Sequence, residues 1–361
     1  MRVSVRSSSL VLGAVAVAGV VALSAQQNPY VGRWNITGTG ADARKVYFLE
    51  VKEVGGKLEG LFLDRGGHAT PVSWIKVENG ELQWQYGGGA ETLPKPACGP
   101  LYRAKLEGGK LIGHHETPGD PCPQTPRPGA AAATPATPRP TPPPQTVNWV
   151  GVRQPTFPPS NANGKHAYGT PVVIVGTGVG KDVWEGLGTD PGDTCVDRWT
   201  MADGVMSNGV PERGERSTCN PHTKQKFKDF KINAEFNLGA GQNSGLYLRG
   251  RYELQLALEA TPGRVASYPG QLMDIYGWKR ADVYAGGPPD SWQILEAVVV
   301  GNHVTATLNG KKVHDNALLP AVTGGAMDAD ELAPGPIMIQ GDHSKVSFRK
   351  LVITPITTPG T

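Results

Sequence analysis

The chain has 361 residues, a formal net charge of +3, 48 glycines and 32 prolines. That length accommodates two ordinary domains with a core each, and the near-balanced charge gives no field of the kind that draws nucleic acid or an anionic membrane. Glycine and proline in such number, set among short runs of Val, Ile, Tyr and Trp, favour strands and turns over helices, and the sequence contains no convincing amphipathic helix.

Residues 1–25 carry Arg2 and Arg6, then an apolar run from Leu10 to Leu23, then Ser24-Ala25 before Gln26. This order predicts a secretory signal peptide cleaved near Ala25, and so a periplasmic or extracellular protein with no membrane span after cleavage. No cysteine stands at that boundary, which disfavours a lipid anchor, and an uncleaved anchor is the lesser alternative. The four cysteines, Cys98, Cys122, Cys195 and Cys219, form two pairs each 24 residues apart. In an exported chain they predict one disulfide per domain, Cys98–Cys122 and Cys195–Cys219. A zinc site is the weaker reading, because no Cys-x-x-Cys pair is present to begin one.

Residues 28–122 read as a small β domain. Its opening, Tyr30-Val-Gly-Arg-Trp-Asn-Ile-Thr37, leads into stretches at 46–51, 58–63, 72–77, 82–86 and 101–106, punctuated by Gly55-Gly56, Asn79-Gly80 and Gly108-Gly109. Six to eight short strands at regular spacing predict a meander barrel or small sandwich. His114-His115 invites a metal reading, but neighbours on a strand point to opposite faces and cannot readily share one ion, so an exposed strand end is expected there.

From Pro123 to Thr146, nine of 24 residues are proline. Such a stretch is extended and has no core, which predicts a linker over 123–165 and disorder to about residue 160. A second β domain is expected over 170–355. Its strands are read at 230–238, 292–300, 304–308, 337–340 and 346–353, with Asn309-Gly310 as a two-residue hairpin turn, and together they predict an antiparallel jelly-roll sandwich. The run Val172-Val-Ile-Val-Gly-Thr-Gly-Val-Gly-Lys181 imitates a phosphate loop. It has three residues where a Walker loop has four, Asp182 follows the lysine, and no helix comes after it.

The most informative segment is Asn243-Ser-Gly-Leu-Tyr-Leu-Arg-Gly-Arg-Tyr-Glu-Leu-Gln255, where polar and apolar residues alternate. Period-two alternation predicts strand. Either it runs as one strand, with Tyr247, Arg249, Arg251, Glu253 and Gln255 on one face, or it folds back at Arg249-Gly250-Arg251 with Tyr247 opposite Glu253. In both geometries Tyr247, Glu253 and Gln255 share a sheet face, a polar surface suited to a sugar. Asn243-Ser-Gly lacks the Gly-x-Ser-x-Gly elbow of a serine nucleophile and reads as a turn.

Across residues 175–355 these motifs stand in order: Trp199 with Asp203-Gly204, Phe227 with Asp229-Phe230, Asn243-Ser-Gly245, Arg249, Tyr252-Glu-Leu-Gln255, Ile275-Tyr-Gly277, Pro288-Pro289 with Trp292, Leu308-Asn-Gly310, Gln340-Gly-Asp-His343 and Val346-Ser-Phe-Arg349. The pattern resembles the 3-keto-disaccharide hydrolase family, whose members have a concanavalin-like or glucanase-like sandwich. The resemblance implies action on glycosides oxidised at C3, by removal of the C2 proton, elimination at C1 and hydration. On that implication Glu253 and His343 move protons and Arg249 holds the ketone or its enolate, a role a divalent ion could also take. Asn243, Tyr247, Gln255, Tyr276, Trp292, Gln340 and Asp342 would bind the sugar. The competing readings are a non-catalytic, lectin-like carbohydrate-binding protein and an adhesive envelope protein; only the enzyme needs the ionisable set Arg249, Glu253 and His343.

Overall fold

The computed structural model describes residues 28–88, 94–122, 143–186, 195–208, 220–259 and 268–360. The expected signal peptide, residues 123–142 of the expected linker, and Cys219 of the second expected cysteine pair lie outside them.

The first half runs through β1 (Gly32–Gly38), β2 (Val46–Val54), β3 (Lys57–Leu63), β4 (Thr70–Pro71), β5 (Trp74–Glu78), β6 (Glu81–Gln85), β7 (Leu101–Glu107), β8 (Lys110–Thr117) and β9 (Gln145–Arg153). All pair antiparallel in the order β4-β3-β2-β1-β9-β8-β7-β6-β5. The sheet curls into a barrel closed by the bent segment 70–78: Val72 N donates to Gly60 O at 2.9 Å on one side, and Ser73 N to Gln85 O at 2.9 Å on the other. Alternation fills the interior with Trp34, Ile36, Tyr47, Leu49, Phe62, Trp84, Tyr102, Leu111 and Trp149. Cys98 and Cys122 form the expected disulfide beside β7 and β8.

Two expectations are corrected here. Residues 145–153, assigned from composition to the linker, form β9, which inserts between β1 and β8 and buries Trp149. The proline-rich run ends at Pro144, and Val147, Trp149 and Gly151 then restore a strand period. His115 is no exposed strand end: it lies in β8, 2 % exposed inside the barrel, and burial pushes its imidazole down to about 4.

The second half contains β10 (Ala167–Tyr168), β11 (Val172–Val175), β12 (Trp184–Glu185), β13 (Trp199–Ala202), β14 (Val205–Asn208), β15 (His222–Thr223) and β16 (Phe230–Asn237). It continues with β17 (Asn243–Leu248), β18 (Tyr252–Ala257), β19 (Trp292–Val300), β20 (His303–Leu308), β21 (Lys311–Leu318), β22 (Met338–Ile339) and β23 (Ser347–Thr358). One sheet has the order β13-β14-β23-β16-β19-β20-β21, with β10 and β11 also pairing with β23; the other has the order β12-β15-β22-β17-β18. This is the expected antiparallel sandwich. Phe230, Ile232, Ala234 and Phe236 of β16 meet Leu246, Leu248, Leu254 and Leu256 of β17 and β18 in one continuous core. The imitation phosphate loop is β11 followed by a turn. Among the described residues no helix is long and apolar enough to cross a membrane.

Barrel and sandwich pack directly on one another. Val46, Phe48 and Leu63 point out of the barrel and cluster with Ala321, Val322 and Ala326 of the loop after β21, while Trp278 sets its ring edge-on to Phe48 at 5.5 Å. Asn35 Nδ2 donates to Glu331 Oε1 at 2.7 Å, and Gln154 Nε2 donates to the same oxygen at 2.9 Å. Glu331 itself is fully buried at this junction, its other oxygen accepting from Tyr252 Oη at 2.7 Å.

Candidate active site

Residues 243–255 take the second of the two geometries open to the sequence. The chain turns at 249–251, where Arg249 (φ +55°) and Gly250 (φ +67°) are left-handed, and β17 and β18 pair with Tyr247 opposite Glu253 and Gly245 opposite Gln255. Leucines face the core. Tyr247, Glu253 and Gln255 face the other way, into a cavity of about 410 Å³, a volume within the usual range for small-molecule sites.

Asn243, Tyr247, Glu253, Gln255, Tyr276, Gln340, Asp342 and His343 all line that cavity. Short bonds fix several of them: Gln255 Nε2 donates to Asn243 Oδ1 at 2.7 Å, and Gln340 N to Gly245 O at 2.9 Å. The side-chain oxygen of Gln340 is buried without a hydrogen-bond partner among the described residues. Such an acceptor suits a sugar hydroxyl.

Glu253 is the chemically distinctive group. It is 2 % exposed, and burial pushes its carboxyl up to about 8, with the nearby Asp342 charge adding to the rise. Tyr247 Oη lies 2.9 Å from Glu253 Oε2 and 2.8 Å from Gly324 O, yet a phenol has one proton to donate. The arrangement is complete when Glu253 is protonated: it donates to Tyr247 Oη, and Tyr247 donates to the Gly324 carbonyl. Gly245 makes room for this carboxyl, since a Cβ there would stand 2.2 Å from Glu253 Oε1. Thr323 holds the strand from behind, its hydroxyl accepting from Glu253 N at 2.9 Å and donating to Arg251 O at 3.1 Å.

His343 Nδ1 lies 2.7 Å from Asp342 Oδ1, an interaction that raises the imidazole above its ordinary 6.5. The bond fixes the ring with Nδ1 as donor and leaves Nε2 for proton transfer. A buried acid and an oriented imidazole thus share one polar hollow. That combination can give a proton to one substrate atom and take one from another.

Two expected site residues stand elsewhere. Arg249 is buried, its guanidinium donating to Gly301 O at 2.6 Å and lying 5.1 Å over the Tyr252 ring, so it ties the hairpin turn to the β19–β20 turn. The reversal at residues 249–251 removes it from the face it would share with Glu253 in an uninterrupted strand. Trp292 opens β19 in the opposite sheet, where Arg349 stacks over its ring at 4.7 Å, and it does not reach the cavity.

Sequence reasoning missed Gln242, Glu259, Tyr268, Gly324 and Gly325, which also line the cavity, and Gly66, which comes from the barrel. Glu259 stands two residues past β18, as an acidic residue just after the Tyr-Glu-Leu-Gln strand, whereas nothing in the local sequence marks Gly66. Among the described residues no group of three or more His, Cys, Asp or Glu side chains is placed to hold a metal ion. The chemistry of the site is accordingly derived from its own side chains.

A hollow of similar volume beside β3 and β5 of the barrel is lined by Leu58, Val72, Trp74 and Ile75, and its Glu50 pairs with Arg33 and Lys52. It brings together no comparable acid and imidazole.

No curated protein matches the chain. A solved "putative glycosyl hydrolase" from Parabacteroides distasonis ATCC 8503 is 21% identical and covers 64% of this chain and 100% of its own, at a TM-score of 0.41. A prokaryotic beta-1,3-1,4-glucanase (lichenase) from a mouse hindgut metagenome is 12% identical and covers 52% of this chain and 100% of its own, at a TM-score of 0.32. The VIP36 exoplasmic/lumenal domain in its Ca2+/Man3GlcNAc-bound form is 14% identical, covering 52% of this chain and 90% of its own at a TM-score of 0.34. Residues 177–354, which contain the hairpin, the cavity's acid and its imidazole, match the family model of the 3-keto-alpha-glucoside-1,2-lyase-like domain.

Proposed function

We propose that the protein is an exported enzyme that cleaves 3-keto-glycosides by elimination followed by hydration. The observation that carries this reading is the buried carboxyl of Glu253, raised to about 8 and facing the same sugar-sized cavity as the Asp342–His343 pair.

A ketone at C3 acidifies the proton on C2. Neutral His343 takes that proton on Nε2, the electron pair forms the C1–C2 double bond, and the C1–O bond breaks. Protonated Glu253 gives its proton to the departing oxygen. Water then adds at C1, losing a proton to the Glu253 carboxylate, while His343 returns a proton to C2. Both groups end as they began, and the net reaction is hydrolysis. Near pH 7 a carboxyl that titrates at about 8 is mostly protonated, as the acid role needs. Charge developing on the C3 oxygen needs a donor, and the cavity-lining amides of Asn243, Gln255 and Gln340 are the groups available to supply one. The disulfide in the barrel and the character of residues 1–25 fit an oxidising compartment outside the cytoplasm.

The test is aglycone release from methyl 3-keto-α-glucoside by the full chain, with Glu253→Gln alongside. Turnover by the native protein and its loss in the variant are expected. Sugar binding without turnover by the native protein would favour a lectin-like role, and full turnover by the variant would remove Glu253 from the chemistry.

A further inference from the structure

The barrel does more than adjoin the sandwich: its β3–β4 loop, residues 64–69, forms part of the cavity rim. Gly66 lines the cavity, and Arg65 O accepts from Gly325 N at 2.8 Å. At Gly324 a Cβ would stand 2.1 Å from Gly67 O, so the two backbones touch where no side chain fits. His68, the next residue of the loop, lies flat on Tyr268 with ring centroids 3.8 Å apart and an interplanar angle of 12°. Tyr268 in turn meets Tyr276 edge-on at 5.9 Å, and both tyrosines line the cavity.

Depth orders these groups. Glu253 is buried in the cavity wall, whereas Gly66 is exposed and His68 and Tyr268 are half-buried. A substrate whose reacting ring reaches Glu253 extends its remaining part outward, toward the rim where the barrel loop and Tyr268 stand. A tyrosine clamped by a stacked imidazole has lost its freedom before the ligand arrives, and an apolar ring face held in one orientation suits the flat face of a second pyranose.

Building on the 3-keto-glycoside reading above, we propose that His68 of the barrel is a positioning residue that holds Tyr268 as the platform for the leaving-group sugar. The barrel thereby determines specificity for disaccharides over simple glycosides. It acts through Tyr268, not on the reacting atoms. The docking contacts at Phe48 and Glu331 keep the loop at this rim.

The experiment compares calorimetric affinities of the full chain carrying Glu253→Gln, which is expected not to turn substrate over, for 3-keto-trehalose and methyl 3-keto-α-glucoside. The parent should bind the disaccharide more tightly, by about fivefold to tenfold for one ring stacking. Adding His68→Ala should erase that advantage while leaving affinity for the methyl glycoside within about twofold. His68→Phe, which keeps a flat ring on Tyr268, should restore it, and Tyr268→Ala should match His68→Ala with no further loss in the double variant. Equal affinities for the two ligands in the parent, or an advantage that survives His68→Ala, would overturn the proposal. A variant that merely loosened the fold would weaken both ligands alike, which also counts against it. Failure of native turnover with the disaccharide advantage intact would instead strike the enzymatic reading and leave this one standing.

Discussion

Replacing Glu253 by Gln should make the protein more stable at high pH, and the size of the gain follows from the burial of the carboxyl. Folding raises this group from its ordinary 4.5 to about 8. Below pH 4.5 both folded and unfolded chains keep the proton, and the group is neutral to stability. Between 4.5 and 8 the unfolded chain ionises and the folded one does not, so stability falls as pH rises. Above 8 the full cost is present, at about 1.36 kcal/mol per pH unit of displacement, or about 5 kcal/mol. Glutamine keeps the shape of the protonated acid and can still donate to Tyr247, whose proton continues to Gly324, but it never ionises. Urea denaturation of the native protein and Glu253→Gln at a series of pH values reads the difference directly. The variant's advantage should be small near pH 4.5 and grow to several kcal/mol by pH 8.5. Parallel pH dependences would mean that Glu253 ionises as readily in the fold as in water, and the argument for a resident acid would be lost.

The rate should follow a bell in pH: kcat/KM falls on the alkaline side at about 8 as Glu253 loses its proton, and on the acid side at a value above 6.5 as His343 gains one. His343→Gln should abolish the acid limb together with most activity. Gly245→Ala puts a Cβ 2.2 Å from Glu253 Oε1 and must displace the carboxyl, so kcat should drop by about 10²-fold while binding of the disaccharide changes little. Serine at both Cys98 and Cys122 opens a loop of 24 residues and should cost the barrel about 3.5 kcal/mol of stability in the chain-entropy picture, read by thermal denaturation with and without reductant.

The sheets were largely legible because their information is local. Alternation at 230–238 and 292–300 and the turn at Asn309-Gly310 specify strands whatever else the chain does, and the structure has β16, β19 and the β20–β21 hairpin there. The shared face of Tyr247, Glu253 and Gln255 was legible too, since the strand period fixes it in either geometry. What escaped depends on distant parts of the chain. Arg249 sits on the polar stripe of an uninterrupted strand, yet two left-handed residues reverse the chain there and send its guanidinium to Gly301, 52 residues away. Trp292 belongs to a motif in sequence but to the opposite sheet in space. β9 was hidden behind proline, although its own residues alternate well.

The docking of the barrel also leaves a mark in the sequence. Val46-Tyr-Phe-Leu49 is apolar at four consecutive positions, which a strand with one wet face does not need. Tyr47 and Leu49 fill the barrel, and Val46 and Phe48 fill the junction with the sandwich. A run without alternation is the sequence sign of a strand covered on both faces. What covers the second face is set by the loop at 321–331, and no local pattern names it.

The central claim is that cleavage proceeds through loss of the C2 proton. Its most direct test is turnover of methyl 3-keto-α-glucoside in D2O, with proton NMR reading C2 of the released sugar against an enzyme-free control. Elimination followed by hydration puts deuterium at C2 of the product wherever the proton on His343 exchanges with solvent before its return, and in every case slows cleavage of substrate deuterated at C2 by a primary isotope effect. A product that keeps its original C2 hydrogen, formed with no isotope effect from the C2-deuterated substrate, would show direct displacement at C1 and contradict the mechanism.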